Sequence, residues 1–300
     1  MSQITKRPAA EIVVDSNLAR ALLRTQHPDL SELPLEEVAQ GWDNFIFRLG
    51  ATMAVRFPRR LASVVALEHE QRWLSTVAQR LPIPVPTPLR IGKPCDRYPW
   101  PWSIVPWLRG ETADLAPLKA DQAKPLARFL HALHSTAPAD APKNPTRGVA
   151  LHERAASIEE RMHRLVQKTS LINPLVRKAW ESGVQASPAE LTTWIHGDLH
   201  AQNVLVEDGE LSGVIDWADI AAGDSATDLA SVWMLLPTVA ARESVINEYG
   251  SVPAATWSRA LGWAVNFGTL LLETGLVDNS RHAKIGELTL QRIVAGPHWT

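Results

Sequence analysis

The chain has 300 residues, 45% hydrophobic and 21% charged, with a formal net charge of −2; this balance can fill a sizeable core, excludes compositional disorder and gives no basic excess for gripping nucleic acid. A single cysteine, Cys95, excludes an internal disulfide and fits a reducing, cytoplasmic setting. No apolar run reads as long enough to span a bilayer, and the N-terminus lacks a continuous apolar signal core, so neither a membrane nor a nucleic-acid partner is expected.

Asp15 or Ser16 caps a helix running to about Gln26, with Leu18, Leu22 and Leu23 on one face and Pro28 as its stop. Three short strands follow at 33–39, 44–49 and 53–57, the last two joined by a turn containing Gly50. Val64, Leu67, Trp73, Leu74 and Val77 give residues 61–79 helical spacing. Prolines 82, 84, 86 and 88 keep the next stretch extended, and a strand from Trp102 to Trp107 leads to a break at Gly110.

Beyond that point helices dominate, at 122–135, 150–167 and 172–185, with His131 and His134 read as packed structural residues. Three β-prone runs at 191–195, 203–207 and 211–217 come next, each bounded by turn residues. Asp224 and Asp228 then open an amphipathic helix whose dipole they complement, and helices at 240–249, 254–274 and 280–294 finish the chain. Such a sequence of elements, in a chain long for one domain, predicts an α+β protein with two parts. Residues 191–300 hold 5 basic and 13 acidic residues, so the last third suits a metal and the more basic first part suits phosphates.

The chemistry is concentrated in His196-Gly197-Asp198-Leu199-His200-Ala201-Gln202-Asn203, followed thirteen positions after Asn203 by Asp216. Phosphoryl transfer asks the protein for a group that addresses the attacking hydroxyl and for hard oxygens that hold Mg²⁺ against nucleotide phosphates. In the H-x-D-x-x-x-x-N pattern of protein kinases the Asp takes the first task, while the Asn and a later Asp take the second. Asp198, Asn203 and Asp216 stand in those places, framed by strand, loop, strand, turn and strand. Asp198 is the expected catalytic residue, and Asn203 and Asp216 the expected metal ligands.

The run "WIHGDLHAQNVLVEDGELSGVIDWADIAAGDSATDLA", with "FLHALHS" upstream, closely resembles the aminoglycoside and macrolide phosphotransferases, and Ile215-Asp216-Trp217 fits them better than the Asp-Phe-Gly of protein kinases. The resemblance implies a bilobal protein-kinase-like fold. Its small β-rich N-terminal lobe (1–106) ends in a hinge, and its larger, mainly helical lobe (107–300) carries catalysis and acceptor binding. By the same resemblance the turn from Gly41 to Asn44 covers the phosphates, although G-x-G-x-x-G is absent. Arg56 stands where a phosphate-binding Lys is usual, Glu70 is the acid that holds it, with Glu68 as fallback, and the backbone of Ile104, Val105 and Pro106 receives the purine. His196 buttresses the loop, His200 approaches the γ-phosphate or supports the loop, and Asp219 and Asp224 are rim residues.

Trp263, Phe267, Leu270 and Glu273 recur at helical spacing and suit an acceptor that is large and apolar with one amino sugar. The implied reaction is phosphorylation of a macrolide 2′-hydroxyl by a monomeric enzyme, with Mg²⁺ and GTP, or ATP, as cofactors. An aminoglycoside kinase, a choline- or homoserine-type metabolite kinase and an inactive pseudokinase are the competing readings.

Overall fold

The computed structural model describes residues 9–296. Contacts divide the described residues into two compact units, one built from 9–79 together with Pro84–Arg109, the other from Arg80–Ile83 and 110–296.

In the first unit α1 (Ser16–Gln26) begins where the Asp15 carboxylate accepts from the Leu18 N–H at 2.8 Å, and it buries Ala19, Leu22 and Leu23. Strands β1 (Leu35–Gln40), β2 (Asn44–Leu49) and β3 (Met53–Pro58) form an antiparallel meander, followed by α2 (Leu61–Ala78). The first strand starts after Pro34, which has no N–H to give a ladder. Two more strands, β4 (Arg90–Gly92) and β5 (Trp102–Pro106), complete the sheet in the order β1-β2-β3-β5-β4. β4 was not foreseen in the proline-rich stretch; it exists because Gly92 lets the backbone lie on Trp102, where a Cβ would come within 1.8 Å of the ring. Phe47, Phe57, Tyr98 and Trp102 fill the core, with Phe57 and Trp102 rings 5.0 Å apart.

The second unit starts with β6 (Glu111–Thr112), α3 (Ala123–Leu133), α4 (Leu151–Val166) and α5 (Pro174–Gln185), the last capped by the Asn173 side chain. Two small sheets follow from β7 (Thr193–Ile195), β8 (Val204–Glu207), β9 (Glu210–Val214) and β10 (Ala221–Gly223): β6-β8-β9 and β7-β10. The helix expected after Asp224 is two short pieces, α6 (Ala226–Leu229) and α7 (Ser231–Leu235), parted at Ala230. Then come α8 (Val239–Tyr249), α9 (Ala254–Asp278) and α10 (Ser280–Ala295), with Thr238 capping α8 and Asn279 capping α10.

α9 is the axis of this unit, packing on α4, α5, α6 and α10. It corrects one expectation, since it has the length and apolar character of a bilayer-crossing segment, with a mean hydropathy of 1.3 over its most apolar 18 residues; 78% of that stretch is buried within the protein. Glycines allow its close crossings: a Cβ on Gly183 of α5 would lie 2.8 Å from Gly262 Cα.

Candidate active site

The loop after β7 is shaped by one glycine and one remote carboxylate. Gly197 has φ +86°, and a Cβ there would meet the Asp219 carbonyl oxygen at 2.8 Å. Asp228 on α6 is 1% exposed; its Oδ2 accepts from the His196 N–H at 2.6 Å and its Oδ1 from the Gly197 N–H at 2.9 Å. His134 stands behind it, with Nε2 3.4 Å from Oδ2 and Nδ1 2.8 Å from the Tyr249 hydroxyl. A two-point grip of this kind fixes the plane of the loop's first peptides.

His196 joins the two expected loops. Its Nδ1 accepts from the Asp198 N–H at 3.2 Å, so Nε2 carries the proton and donates to the Ile215 carbonyl at 2.9 Å. The ring is fully buried and rests on Trp217, centroids 4.7 Å apart. The Ile215 N–H donates to the Asn203 carbonyl at 2.9 Å, which sews the loop carrying Asp216 to the end of the loop carrying Asp198. Beyond it Asp216 takes φ +61°, the left-handed region that Asp tolerates better than most residues, and this ends the strand at Val214 rather than at Trp217.

The Asn203 Nδ2 donates to the Asp198 carbonyl at 2.9 Å and lies 3.5 Å from Asp198 Oδ2. Its amide nitrogen is thus committed to the loop, and its carbonyl oxygen is the atom left to face a cation. Asp198 Oδ2 also lies 3.3 Å from His200 Nε2, and Oδ1 accepts from Arg147 Nη2 at 3.0 Å. Burial pushes the Asp198 carboxyl up, but the charges of His200 and Arg147, the His200 hydrogen bond and His196 outweigh it and hold the group well below the usual carboxylate range. Asp219 goes the other way: burial pushes it up, reinforced by Asp198 and Asp216, against Arg147 and an Asn144 hydrogen bond of 2.6 Å.

Among the described residues no three His, Cys, Asp or Glu side chains cluster as a metal cage. Asn203 and Asp216, the expected ligands, would offer hard oxygens of the kind suited to Mg²⁺, which keeps waters and phosphate oxygens in its remaining positions.

In the first unit, Arg56 of β3 and Glu70 of α2 form a buried pair, Nη1 to Oε1 2.6 Å. Glu70, not Glu68, is therefore the partner. The turn from Gly41 to Asn44 closes by a 2.9 Å bond from the Gly41 N–H to the Asn44 carbonyl. Arg59 braces it, donating to the carbonyls of Gly41 and Trp42 at 3.2 Å each, while Asp43 accepts from Arg60 at 2.9 Å and Ser63 at 2.6 Å. In β5, Ile104 and Val105 are buried, and the Ile104 carbonyl accepts from the Leu89 N–H at 2.8 Å.

Residues 34–263 match the model of the phosphotransferase enzyme family. The chain belongs to that family. The kinase-like fold recurs in solved structures across nearly the whole chain. The GDP complex of an aminoglycoside 2′-phosphotransferase-IIIa superposes with a TM-score of 0.68 at 18% identity, covering 94% of this chain and 99% of that one. The apoenzyme of a macrolide 2′-phosphotransferase from Brachybacterium faecium gives 0.57 at 20%, covering 96% and 100%. A macrolide 2′-phosphotransferase type I gives 0.55 at 20%, covering 92% and 97%. No curated protein matches the sequence.

In this phosphotransferase the four expected acceptor residues have different surroundings. Trp263 is fully buried, Phe267 is 2% exposed with the Arg147 guanidinium over its ring at 5.0 Å, and Leu270 is half-buried. Glu273 is buried and held by Arg164 at 2.7 Å and Arg161 at 3.6 Å. Asp224 is equally engaged, by Arg259 at 2.6 Å. Sequence reasoning missed Arg147, Asn144 and the loop-gripping role of Asp228. Asp228 sits inside the quoted motif, five residues before Trp233, and could have been singled out as a buried acid; Arg147 lies in a polar loop with no pattern around it.

Proposed function

We propose that the protein is an antibiotic kinase that moves the γ-phosphate of GTP, or of ATP, to the 2′-hydroxyl of a macrolide's amino sugar. The observation that carries the kinase reading is the joining of two loops through His196 and the Asn203 carbonyl, which supports a shared site for Asp198, Asn203 and Asp216. Asp198 orients the acceptor hydroxyl and takes its proton late, as its phosphate bond forms and the bond to the leaving nucleoside diphosphate breaks. Asn203 and Asp216 would hold Mg²⁺, which offsets the charge of the β- and γ-phosphates. The Arg56–Glu70 pair supports phosphate binding by a guanidinium in the place of the usual lysine. The purine assignment to the backbone of Ile104, Val105 and Pro106, like the phosphate turn and His200, rests on resemblance.

For the acceptor, Asp219 supports a singly charged amino sugar, because it is the acid beside Asp198 and Arg147. Glu273, expected in that role, is already neutralised by two arginines. So occupied, Glu273 is not available to a polycation such as an aminoglycoside. The test is incubation of purified protein with Mg²⁺, GTP or ATP, and a panel of macrolides and aminoglycosides, followed by mass spectrometry. Gain of one phosphate on a macrolide is expected; phosphate on aminoglycosides alone would overturn the acceptor and keep the reaction class.

A further inference from the structure

The loop between α3 and α4 has no part in the reaction as described so far, yet it reaches the catalytic carboxylate. Asn144 organises it as an Asx turn: its Oδ1 accepts from the N–H groups of Thr146 at 2.9 Å and Arg147 at 3.1 Å, and its Nδ2 donates to Asp219 at 2.6 Å. The turn delivers Arg147 to a three-sided seat. Nη2 donates to Asp198 Oδ1 at 3.0 Å, Nε lies 3.7 Å from Asp219 Oδ2, and the guanidinium carbon stands 5.0 Å from the centroid of Phe267.

We propose that Arg147 is a positioning residue for phosphoryl transfer and a filter on acceptor charge. The proposal rests on the reading of Asp198 as the group that addresses the acceptor hydroxyl. A carboxylate torsion is broad and roughly two-fold, so something outside the side chain must choose its orientation. The contacts from His200 and Asn203 to Oδ2 are 3.3 and 3.5 Å, both longer than the Arg147 bond to Oδ1. Arg147 therefore sets the plane of the carboxylate, by the shortest side-chain contact it has and a charge-assisted one. Its permanent charge also stands where the acceptor must come close.

That charge is not isolated. Arg154, Arg161 and Arg164 follow along α4, and Arg161 donates to Asn266 Oδ1 at 3.1 Å on α9. Burial pushes Arg161 down to about 10, Glu273 pulls it up, and the charges of Arg154, Arg164 and Arg147 add to the fall, so these groups feel one another. Arg154 has a buried Nε without a hydrogen-bond partner, and burial and Arg147 lower it too. Arg161 and Arg164 are bridged to Glu273, so the like charge that an acceptor with several ammonium groups would meet is that of Arg147, with Arg154 behind it.

The experiment compares Arg147→Ala, Arg147→Lys and Asp198→Ala in the full chain, with the best acceptor from the mass-spectrometric panel and with water as acceptor in slow nucleotide hydrolysis. Arg147→Ala should lower kcat about 10- to 100-fold, with the KM for nucleotide held within about twofold. Millimolar guanidinium should restore part of the rate to Arg147→Ala and none to Asp198→Ala, and Arg147→Lys should fall between wild type and alanine. Relative to wild type, the alanine variant should also lower KM for aminoglycosides. Unchanged kcat would overturn the proposal, and so would a loss that guanidinium does not rescue and that nucleotide affinity shares. If the wild type transfers phosphate to no acceptor, the kinase reading fails, and a double-mutant cycle of Arg147→Ala with Asp198→Asn in denaturant unfolding still decides the contact. Coupling below about twofold in the unfolding constant would then refute it.

Discussion

At Asp228 one buried carboxylate accepts from two consecutive backbone amides of the loop after β7, at 2.6 and 2.9 Å. Asp228→Asn would keep one acceptor and turn an NH₂ group toward the other amide, leaving buried donors face to face. The expected cost is about 1–3 kcal/mol of stability, read from the denaturant midpoint, with kcat falling while nucleotide KM stays near wild type. Asp198→Ala should behave differently, abolishing transfer while titration calorimetry finds nucleotide affinity within about threefold. Asp216→Ala should weaken metal-dependent nucleotide binding as well, and equal effects of both substitutions on binding would refute the division of labour between them. The pattern of Asp198, Asn203 and Asp216 was legible because the residues of the family's motif lie in one short stretch of sequence. The grip of Asp228 was not, because an acid in a first helical turn already satisfies the helix dipole and hides a partner thirty-two residues away.

Helices were the easiest elements to read, since a 3.6-residue apolar period survives over 11 to 25 residues in α1, α2, α3 and α9. The missed strands β4, β6 and β10 have only two or three residues each and owe their existence to partners elsewhere in the chain, so no local pattern marks them. Close crossings were likewise invisible. In α5 a Cβ on Gly183 would stand 2.8 Å from Gly262 Cα and 2.9 Å from the Ser258 carbonyl oxygen, both backbone atoms of α9. Gly183→Ala should therefore force the two helices apart despite its better helix propensity, at a cost of about 1–3 kcal/mol. Chemical unfolding checks the sign, and a stabilised variant would mean that the crossing has slack.

Across the second unit, Arg281 at the start of α10 binds Asp114 beyond β6 through two bonds of 2.6 and 2.8 Å. Burial pushes Asp114 up, but the hydrogen bonds from Arg281 and Thr112 and the Arg281 charge hold it below its usual value. A carboxyl lowered in the folded state binds fewer protons there than in the unfolded chain. Its stabilisation is complete above about pH 4 and is lost as pH falls through the lowered folded value. Asp114→Asn should accordingly be less stable than wild type at pH 6, with the gap closing toward pH 3 in denaturant titrations; a gap independent of pH would refute the ion pair's role. Fold class and reaction type were legible at this scale from one motif and the order of elements, whereas the basic α4 wall was not, because it depends on which helix faces point toward α9.

α9 sets out Arg259, Phe267 and Glu273 along about 21 Å of one rod, fastened respectively to Asp224, Arg147 and Arg164. Adding or deleting a residue between Arg259 and Phe267 would rotate every later position by about 100° and unfasten the Phe267 and Glu273 contacts together. Divergence of acceptor range along this rod must then proceed by exchanging side chains at constant length.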